Sequence, residues 1–282
     1  MSNALDLKHV YKQYGDFAIR DLNLELPQGC VMGLVGENGA GKSTTIHMIL
    51  DIVKPDSGEI TVLGSPHGAD FNRVKEDIGV VLDEPGFPLC LDARHVERIM
   101  AKTFRKWDSK AFLDYLKRFS LPEKKPFKEY SRGMKMKLSI AVALSHAPRL
   151  LLLDEATSGL DPVVRDEILD IFFEFTRAED HSILMSSHIV SDLEKLCDYV
   201  AFLHEGCLLE CQEKDMLLEC YGLIHCTAEQ ANALRGIIRG KKETPYGVEA
   251  VVLREQVPTG LAVSSIGIEE LFVYLTKGGE GA

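Results

Sequence analysis

The stretch GENGAGKS, residues 36–43, restricts the fold of this chain more than any other segment. It matches the pattern G-x-x-x-x-G-K-[ST], in which glycines let the backbone wrap an anion closely so that successive N–H groups point inward. The apolar run CVMGLV, residues 30–35, precedes it, and apolar residues at helical spacing follow it. A buried strand, a glycine-rich loop and a helix in this order predict a parallel α/β sheet whose loop binds the phosphates of a nucleotide.

The residue types of this loop predict a role for each position. Lys42 supplies a positive charge to the β- and γ-phosphates, and the Ser43 hydroxyl is a ligand for Mg²⁺. The loop backbone and the positive end of the following helix surround the rest of the polyphosphate. The predicted nucleotide contacts within the loop are Gly36, Asn38, Gly39, Ala40, Gly41, Lys42, Ser43 and Thr44.

The segment RLLLLDE, residues 149–155, has the features of a second strand of the same sheet. Four leucines form a strand buried on both faces, and Asp154 ends it at the edge where open α/β sheets bind ligands. An acid at this edge holds Mg²⁺ directly or through water, and Glu155 is placed to polarise an attacking water as a general base. The two acids alone also fit the start of a helix, but the phosphate loop upstream favours the catalytic interpretation.

The remaining pattern divides the chain into several regions. Apolar and polar residues alternate over the first thirty residues, which predicts antiparallel strands. Residues 86–130 show two amphipathic helical faces and indicate a helical insertion, after which the α/β pattern returns from residue 149 to about residue 212. The weaker pattern beyond predicts three strands and two helices, and residues 278–282 are expected to fray. The strands are LIHC at 223–226, VEAVVL at 248–253 and LAVSS at 261–265, and the helices are 228–238 and 268–277.

Composition excludes several classes of protein. The formal net charge of −11 argues against binding nucleic acid through a basic surface.

The seven cysteines are odd in number and form no C-x-x-C, and no secretory signal precedes them, so reduced cytosolic thiols are expected. Cys207 and Cys211 lack a second ligand pair at zinc-site spacing, which disfavours a metal there. No apolar run is long enough to cross a membrane, so any membrane span must come from another chain.

With these motifs in place, residues 5–210 resemble the nucleotide-binding subunit of ABC transporters. Tyr14 in YKQYGDF corresponds to the aromatic that stacks on adenine, although it also fits a half-buried strand. SRGMK at 131–135 stands where the family carries LSGGQ, and LLLLDEATSGLDP leads into the D-loop with Asp161, which also fits a helix start with proline at its first position. His188 in MSSH matches the switch histidine that contacts the γ-phosphate.

Two positions depart from the family pattern. The glutamine expected after the strand IGVVL is replaced by Asp83, or by Glu84 if the register shifts by one. A carboxylate still binds Mg²⁺ but repels the γ-phosphate without it, so a steeper Mg²⁺ dependence is expected. In the second departure LSGGQ has become YSRGM, with Ser131 and Gly133 kept and Arg132 in place of the first glycine. Arg132, Lys135 and Lys137 either add positive potential near phosphates or face solvent.

The resemblance implies a fold and a function. The expected fold is α/β, a P-loop NTPase core of the ABC ATPase type with an antiparallel β subdomain, a helical subdomain at about 86–145 and a small C-terminal α+β extension at 213–282. The chain, with its ABC ATPase domain at 1–212, would hydrolyse ATP with Mg²⁺ and drive a separate membrane permease, in export, from the cytoplasmic face of the membrane.

The resemblance also assigns roles to residues and partners. Glu155, His188 and Lys42 would act in catalysis, Ser43, Asp83 and Asp154 would hold Mg²⁺, and Tyr14 would stack on adenine. Ser131, Gly133 and Asp161 would act across a dimer of two such chains, on ATP held by the partner, and no nucleic acid is implied. The alternatives are a non-transport ABC ATPase acting on ribosomes or DNA, and a P-loop kinase, which would leave Tyr14, the D-loop and His188 unexplained.

Overall fold

The computed structural model describes residues 2–68, 71–84 and 86–278, so most of the tail expected to fray lies outside the described residues. Three sheets and the helices packed on them form this part of the chain. The strands are β1 (Asn3–Tyr14), β2 (Phe17–Pro27), β3 (Val31–Val35), β4 (Ser57–Val62), β5 (Ser65–Pro66), β6 (Ile78–Val81), β7 (Leu150–Asp154), β8 (Ser182–Ser186), β9 (Tyr199–His204), β10 (Cys207–Glu213), β11 (Tyr221–Cys226), β12 (Ile238–Thr244), β13 (Gly247–Leu253) and β14 (Val263–Ser264). The helices are α1 (Lys42–Ile49), α2 (Phe71–Val74), α3 (Ala93–Thr103), α4 (Ser109–Arg118), α5 (Arg132–Leu144), α6 (Pro162–Phe175), α7 (Val190–Leu196), α8 (Lys214–Cys220), α9 (Ala228–Ala233) and α10 (Ile268–Gly278).

The first sheet is antiparallel, in the order β2-β1-β4-β5, as the alternation in the first thirty residues predicts. Leu5, Leu7 and Leu24 are buried while their polar neighbours along the strands face outward. The β1–β2 hairpin closes with Tyr14 paired to Phe17. This pairing brings two aromatic residues to the same end of the sheet.

The central sheet has the order β10-β9-β3-β8-β7-β6, and all of its pairings are parallel except that of the edge strand β10. Leu150 and Leu152 pack into the core on one face of the sheet, and Leu151 and Leu153 pack into the core on the other. The four leucines are fully buried because both faces are covered, which confirms the strand predicted at 149–155. The carboxyl ends of β3, β8, β7 and β6 lie side by side at one edge, where the phosphate loop begins.

The helical insertion contains α3, α4 and α5, which pack against the face of the central sheet opposite the antiparallel sheet. Polar caps set the start of each helix: Asp92 for α3, Asp108 for α4 and Ser131 for α5 each accept a hydrogen bond from a backbone N–H in the first turn. The position of α5 therefore depends on a serine from the unusual YSRGM segment.

The C-terminal residues form the antiparallel sheet β12-β13-β11-β14 and the helix α10. The predicted helix over 228–238 is wrong in its second half: α9 ends at Ala233, and Ile238 begins the edge strand β12. Residues 234–237, which include Gly236, form a turn after the helix, and the charged residues of β12 are exposed at the sheet edge. The predicted boundary between residues 212 and 213 falls at the end of β10, and the division into domains stays a prediction.

Among the described residues, no helix combines the length and the apolar character needed to cross a bilayer.

Candidate functional site

The phosphate loop turns sharply from β3 into α1. Gly41 precedes α1 with φ of 110°, and a Cβ there would lie 2.6 Å from the Ile19 Cδ1 atom. At Gly36 a Cβ would lie 2.4 Å from the carbonyl oxygen of Leu203. A larger residue at Gly36 would collide with backbone, and at Gly41 the left-handed backbone conformation disfavours any residue with a side chain, so both glycines are required for this loop path.

The ammonium group of Lys42 lies within the phosphate loop. Its side chain is only 6 % exposed, and Nζ donates hydrogen bonds to the carbonyl oxygens of Gly36 at 2.7 Å and Glu37 at 3.2 Å. Its partners are neutral backbone groups and, at 3.6 Å, one carboxylate oxygen of Glu155. The loop therefore holds a buried positive charge that a phosphate can neutralise.

An open cleft of about 570 Å³ runs from this loop to the antiparallel sheet. That volume lies within the range of small-ligand sites in proteins. The cleft brings together one end of the first hairpin, the phosphate loop, and Asp83 and Glu155, which follow strands of the central sheet. The lining residues are Tyr14, Phe17, Glu37, Asn38, Gly39, Gly41, Lys42, Ser43, Thr44, Asp83 and Glu155.

Two of these lining residues, Phe17 and Glu37, were missed by sequence reasoning. Phe17 begins the strand after Tyr14, and an aromatic residue directly across a hairpin was the signal that could have indicated it. Tyr14 itself is partly exposed, and the Lys12 ammonium lies 5.4 Å from its ring centroid. The two rings give the cleft an apolar end opposite its charged end.

Glu155 connects the loop to the end of β7. Oε2 lies 2.6 Å from Nδ1 of His188, and Oε1 is buried with no hydrogen-bond partner among the described residues. Glu155 also has φ of 51°, an unusual conformation for a residue with a side chain. A buried carboxylate oxygen that accepts no hydrogen bond from the described residues, on a left-handed backbone beside a phosphate loop, has the features of a ligand-binding site.

Ser186 is a further site residue that sequence reasoning missed. It ends β8, directly opposite Asp154 in the parallel register. Its hydroxyl donates to Asp154 Oδ1 at 2.6 Å and accepts from the Glu155 N–H at 3.1 Å, while its carbonyl accepts from the same N–H at 3.2 Å. One buried serine therefore binds the Asp154 carboxylate and the backbone of Glu155. A small polar residue at the end of an apolar strand was the available signal.

The residues present fit a nucleotide with its Mg²⁺. Two of the three residues predicted to hold Mg²⁺, Ser43 and Asp83, line the cleft and offer the oxygen ligands that Mg²⁺ prefers. The third, Asp154, is buried behind the cleft and hydrogen-bonded to Ser186. The Glu155 oxygen that accepts no hydrogen bond from the described residues and the buried Lys42 charge complete a site with complementary groups for a water molecule and a polyphosphate.

The three residues predicted to act across a dimer lie outside this cleft. Ser131 caps α5 by accepting from the Met134 N–H at 3.2 Å, and a Cβ on Gly133 would approach Leu160 to 3.7 Å. Asp161 caps α6 by accepting from the Val164 N–H at 3.1 Å. The described residues that line the cleft do not include Ser131, Gly133 or Asp161. The chain thus does not bring these three predicted residues to its own phosphate loop.

Comparison with known proteins identifies the family. The family described as ABC transporter matches residues 19–158. The bacitracin transport ATP-binding protein BcrA of Bacillus licheniformis is 38% identical over 213 residues, which cover 74% of this chain and 70% of that protein. The lantibiotic transport ATP-binding protein SrtF of Streptococcus pyogenes is 35% identical over 214 residues, covering 75% of this chain and 91% of that protein.

A solved structure of an ATP-binding subunit of an ABC transporter is similar with a TM-score of 0.70 and 26% identity, over 76% of this chain and 91% of that one. The likeness confirms the fold expected from the sequence, a P-loop core with an antiparallel sheet and a helical insertion. Sequence relatives, fold and phosphate site agree, and the chain belongs to the ABC transporter family as one of its ATP-binding, ATP-hydrolysing subunits.

Proposed function

We propose that this chain drives a membrane permease, in export, by closing and opening a dimer around two ATP molecules with Mg²⁺. The observation that carries the proposal is the position of Glu155, whose Oε1 atom accepts no hydrogen bond from the described residues and lies 3.6 Å from Nζ of the phosphate-loop lysine, Lys42. A carboxylate in this position can accept a proton from water that attacks the γ-phosphate.

Each active site is proposed to be shared between two chains. Lys42 and the loop N–H groups bind ATP in one chain, and Tyr14 stacks on its adenine. The Ser131 hydroxyl and the backbone at Gly133 bind the γ-phosphate from the partner chain, with Asp161 beside them. The support is geometric: these groups lie at exposed helix starts outside the chain's own cleft, where they are available to a second molecule.

The catalytic step depends on positioning and charge. Glu155 orients and deprotonates water, His188 holds the Glu155 carboxylate and reaches toward the γ-phosphate, and Lys42 stabilises the negative charge that develops. Ser43, Asp83 and Asp154 would hold Mg²⁺, which offsets the charge of the β- and γ-phosphates when bound. Loss of the γ-phosphate removes the charge that joins the two chains.

The names of the two relatives support transport over the alternative of a ribosome- or DNA-associated ATPase, because both are called transport proteins. The partners proposed here are a second ATP-binding subunit and an integral membrane permease, with the chain bound peripherally on the cytoplasmic side. The permease would select the cargo. The C-terminal lobe, residues 213–282, is proposed to support this assembly.

Replacing Glu155 with Gln tests the proposal. The variant should bind ATP as tightly as the parent, hydrolyse it about 10²–10⁴-fold more slowly, and accumulate as a dimer in size-exclusion chromatography with ATP. Lys42→Ala is the comparison, because it should lose ATP binding itself. Normal turnover by Glu155→Gln would remove Glu155 from the role of general base.

A further inference from the structure

Two of the residues that depart from the family pattern, Arg132 and Asp83, contact each other. Arg132 Nη2 donates a hydrogen bond to Asp83 Oδ1 at 2.8 Å. Asp83 is aligned with the family's glutamine, with Glu84 as the alternative if the register shifts by one, and Arg132 stands where the family has the first glycine of LSGGQ. Glutamine and glycine cannot form an ion pair, so the two departures together create one new contact.

A second contact fixes the position of Arg132. The guanidinium packs on Gly159, in the loop before α6, where a Cβ would lie only 2.8 Å from Nη1. Gly159 has φ of 67° and no side chain, so the arginine can lie directly against its backbone. Arg132 therefore joins three segments of one chain: the start of α5, the loop after β6 and the loop before α6.

Asp83 lies at the border between two clefts. It lines the nucleotide cleft together with Lys42 and Ser43, and it also lines a neighbouring groove of about 410 Å³ that contains Arg132 and Lys135. Arg132 is not among the described residues that line the nucleotide cleft. The ion pair thus holds the Asp83 carboxylate from the side of the neighbouring groove.

We propose that Arg132 is a positioning residue that raises the Mg²⁺ concentration needed to load the nucleotide site, because its guanidinium competes with the cation for Asp83. This inference rests on the proposed function, in which Asp83 is a Mg²⁺ ligand. Loading the site releases Arg132 from Asp83. The freed charge then lies beside Ser131, at the helix start proposed to meet the partner's γ-phosphate.

The first test measures binding of a fluorescent, non-hydrolysable ATP analogue to the full chain as Mg²⁺ is titrated. Both side chains are partly exposed, so the effect should have the size of a surface ion pair, and Arg132→Gln should lower the Mg²⁺ midpoint roughly two- to fivefold. Arg132→Lys should keep the parental midpoint. Lys135→Gln is the matched control, because it removes the same charge from the same groove without contacting Asp83.

Asp83→Asn completes a double-mutant cycle. In that background Arg132→Gln should no longer move the midpoint, because the carboxylate for which the arginine competes is gone. An equal shift in both backgrounds would overturn the proposal, as would an unchanged midpoint in Arg132→Gln alone. If the parental chain does not bind the analogue with Mg²⁺, the proposed function itself is refuted. This measurement needs no variant, so the two failures can be distinguished.

A second readout uses no nucleotide. Urea unfolding of the nucleotide-free chain should show coupling between Arg132→Gln and Asp83→Asn at low ionic strength, and the coupling should weaken in about 1 M salt. Additive effects at low ionic strength would show that the pair does not form in solution and would overturn the proposal.

Discussion

Nδ1 of His188 lies 2.6 Å from Oε2 of Glu155, so the histidine after β8 holds the carboxylate after β7. His188 is 52 % exposed while the Glu155 side chain is 14 % exposed, which places the imidazole on the open side of the acid. The contact leaves the other carboxylate oxygen facing Lys42.

Replacing His188 with Ala should therefore reduce turnover while ATP binding is kept. We expect a loss of roughly ten- to a hundredfold in kcat, because the carboxylate loses the charge-assisted hydrogen bond that orients it. Steady-state ATPase assays and equilibrium nucleotide binding measure the two quantities. His225→Ala is the control, since His225 is also an exposed histidine near a glutamate, in the C-terminal lobe. A parental kcat in His188→Ala would contradict the positioning role.

Ser186→Ala should impair catalysis beyond its effect on stability. The variant loses the hydroxyl that binds both Asp154 and the Glu155 N–H, so we expect the free energy of unfolding to fall by about 1–3 kcal/mol and kcat to fall at least tenfold. Ser182→Ala is a matched control. Ser182 lies at the other end of β8, is also buried, and accepts a hydrogen bond from the Gly29 N–H at 2.9 Å. Equal kcat losses in both variants would indicate a general effect of destabilising the strand.

The buried strands of the central sheet could be predicted from the sequence, whereas the contacts of Ser186 could not. The strands at 31–35 and 150–154 could be predicted because uninterrupted apolar runs indicate burial on both faces. A small polar residue at the end of an apolar strand could have marked Ser186 as a candidate, but its contacts with Asp154 and Glu155 depend on the order of β3, β8 and β7 in the sheet, which no local pattern encodes.

The same limit applies to the Arg132–Asp83 pair. Each residue was recognised as a departure from a motif, but the two are separated by 49 positions and only the packing of α5 against the loop after β6 brings them together. The helix predicted at 228–238 failed for a different reason. Its apolar spacing continues through Leu234, Ile237 and Ile238, but residues 234–237 form a turn that contains Gly236, and Ile238 begins an edge strand.

Asp83→Gln should restore the side chain usual in the family and flatten the dependence of ATPase activity on Mg²⁺. A carboxylate repels the γ-phosphate until Mg²⁺ is present, whereas a neutral amide does not. Activity measured over a Mg²⁺ titration at fixed ATP checks this, and Glu84→Gln is the control for the alternative register. An unchanged titration in Asp83→Gln with a changed one in Glu84→Gln would reassign the role to Glu84.

His146 should make the folded state less stable in mild acid. Burial lowers the pKa of this histidine below its ordinary value of 6.5, and its ring stacks on Phe104 with 4.0 Å between centroids. The unfolded chain therefore binds a proton more readily than the folded chain, so stability falls as the pH drops below about 6.5. The slope can reach about 1.4 kcal/mol per pH unit for one such group. Urea unfolding from pH 7.5 to 5.5 measures it, and His146→Phe should give a shallower slope; an identical slope would exclude His146 as its source.

Ser131→Ala should spare ATP binding by the single chain and slow hydrolysis by roughly ten- to a hundredfold, because a donor to the γ-phosphate is lost. The substitution also removes the cap of α5, which costs about 1 kcal/mol. Asp108→Ala controls for this, since it removes the cap of α4 in the same helical region. Loss of ATP binding by the monomeric Ser131→Ala chain would refute the assignment across the dimer.

Mixing variants distinguishes action within a chain from action across the interface. When Ser131→Ala and Lys42→Ala chains pair, the trans arrangement gives one site with Lys42 from the first chain and Ser131 from the second, both intact. If Ser131 acted on the ATP of its own chain, neither site of the mixed dimer would be complete. The trans proposal therefore predicts that an equimolar mixture hydrolyses ATP faster than either variant alone, and that it forms more dimer with ATP. Activity equal to the average of the two separate variants, in a mixture shown to exchange subunits, would place Ser131 in the site of its own chain.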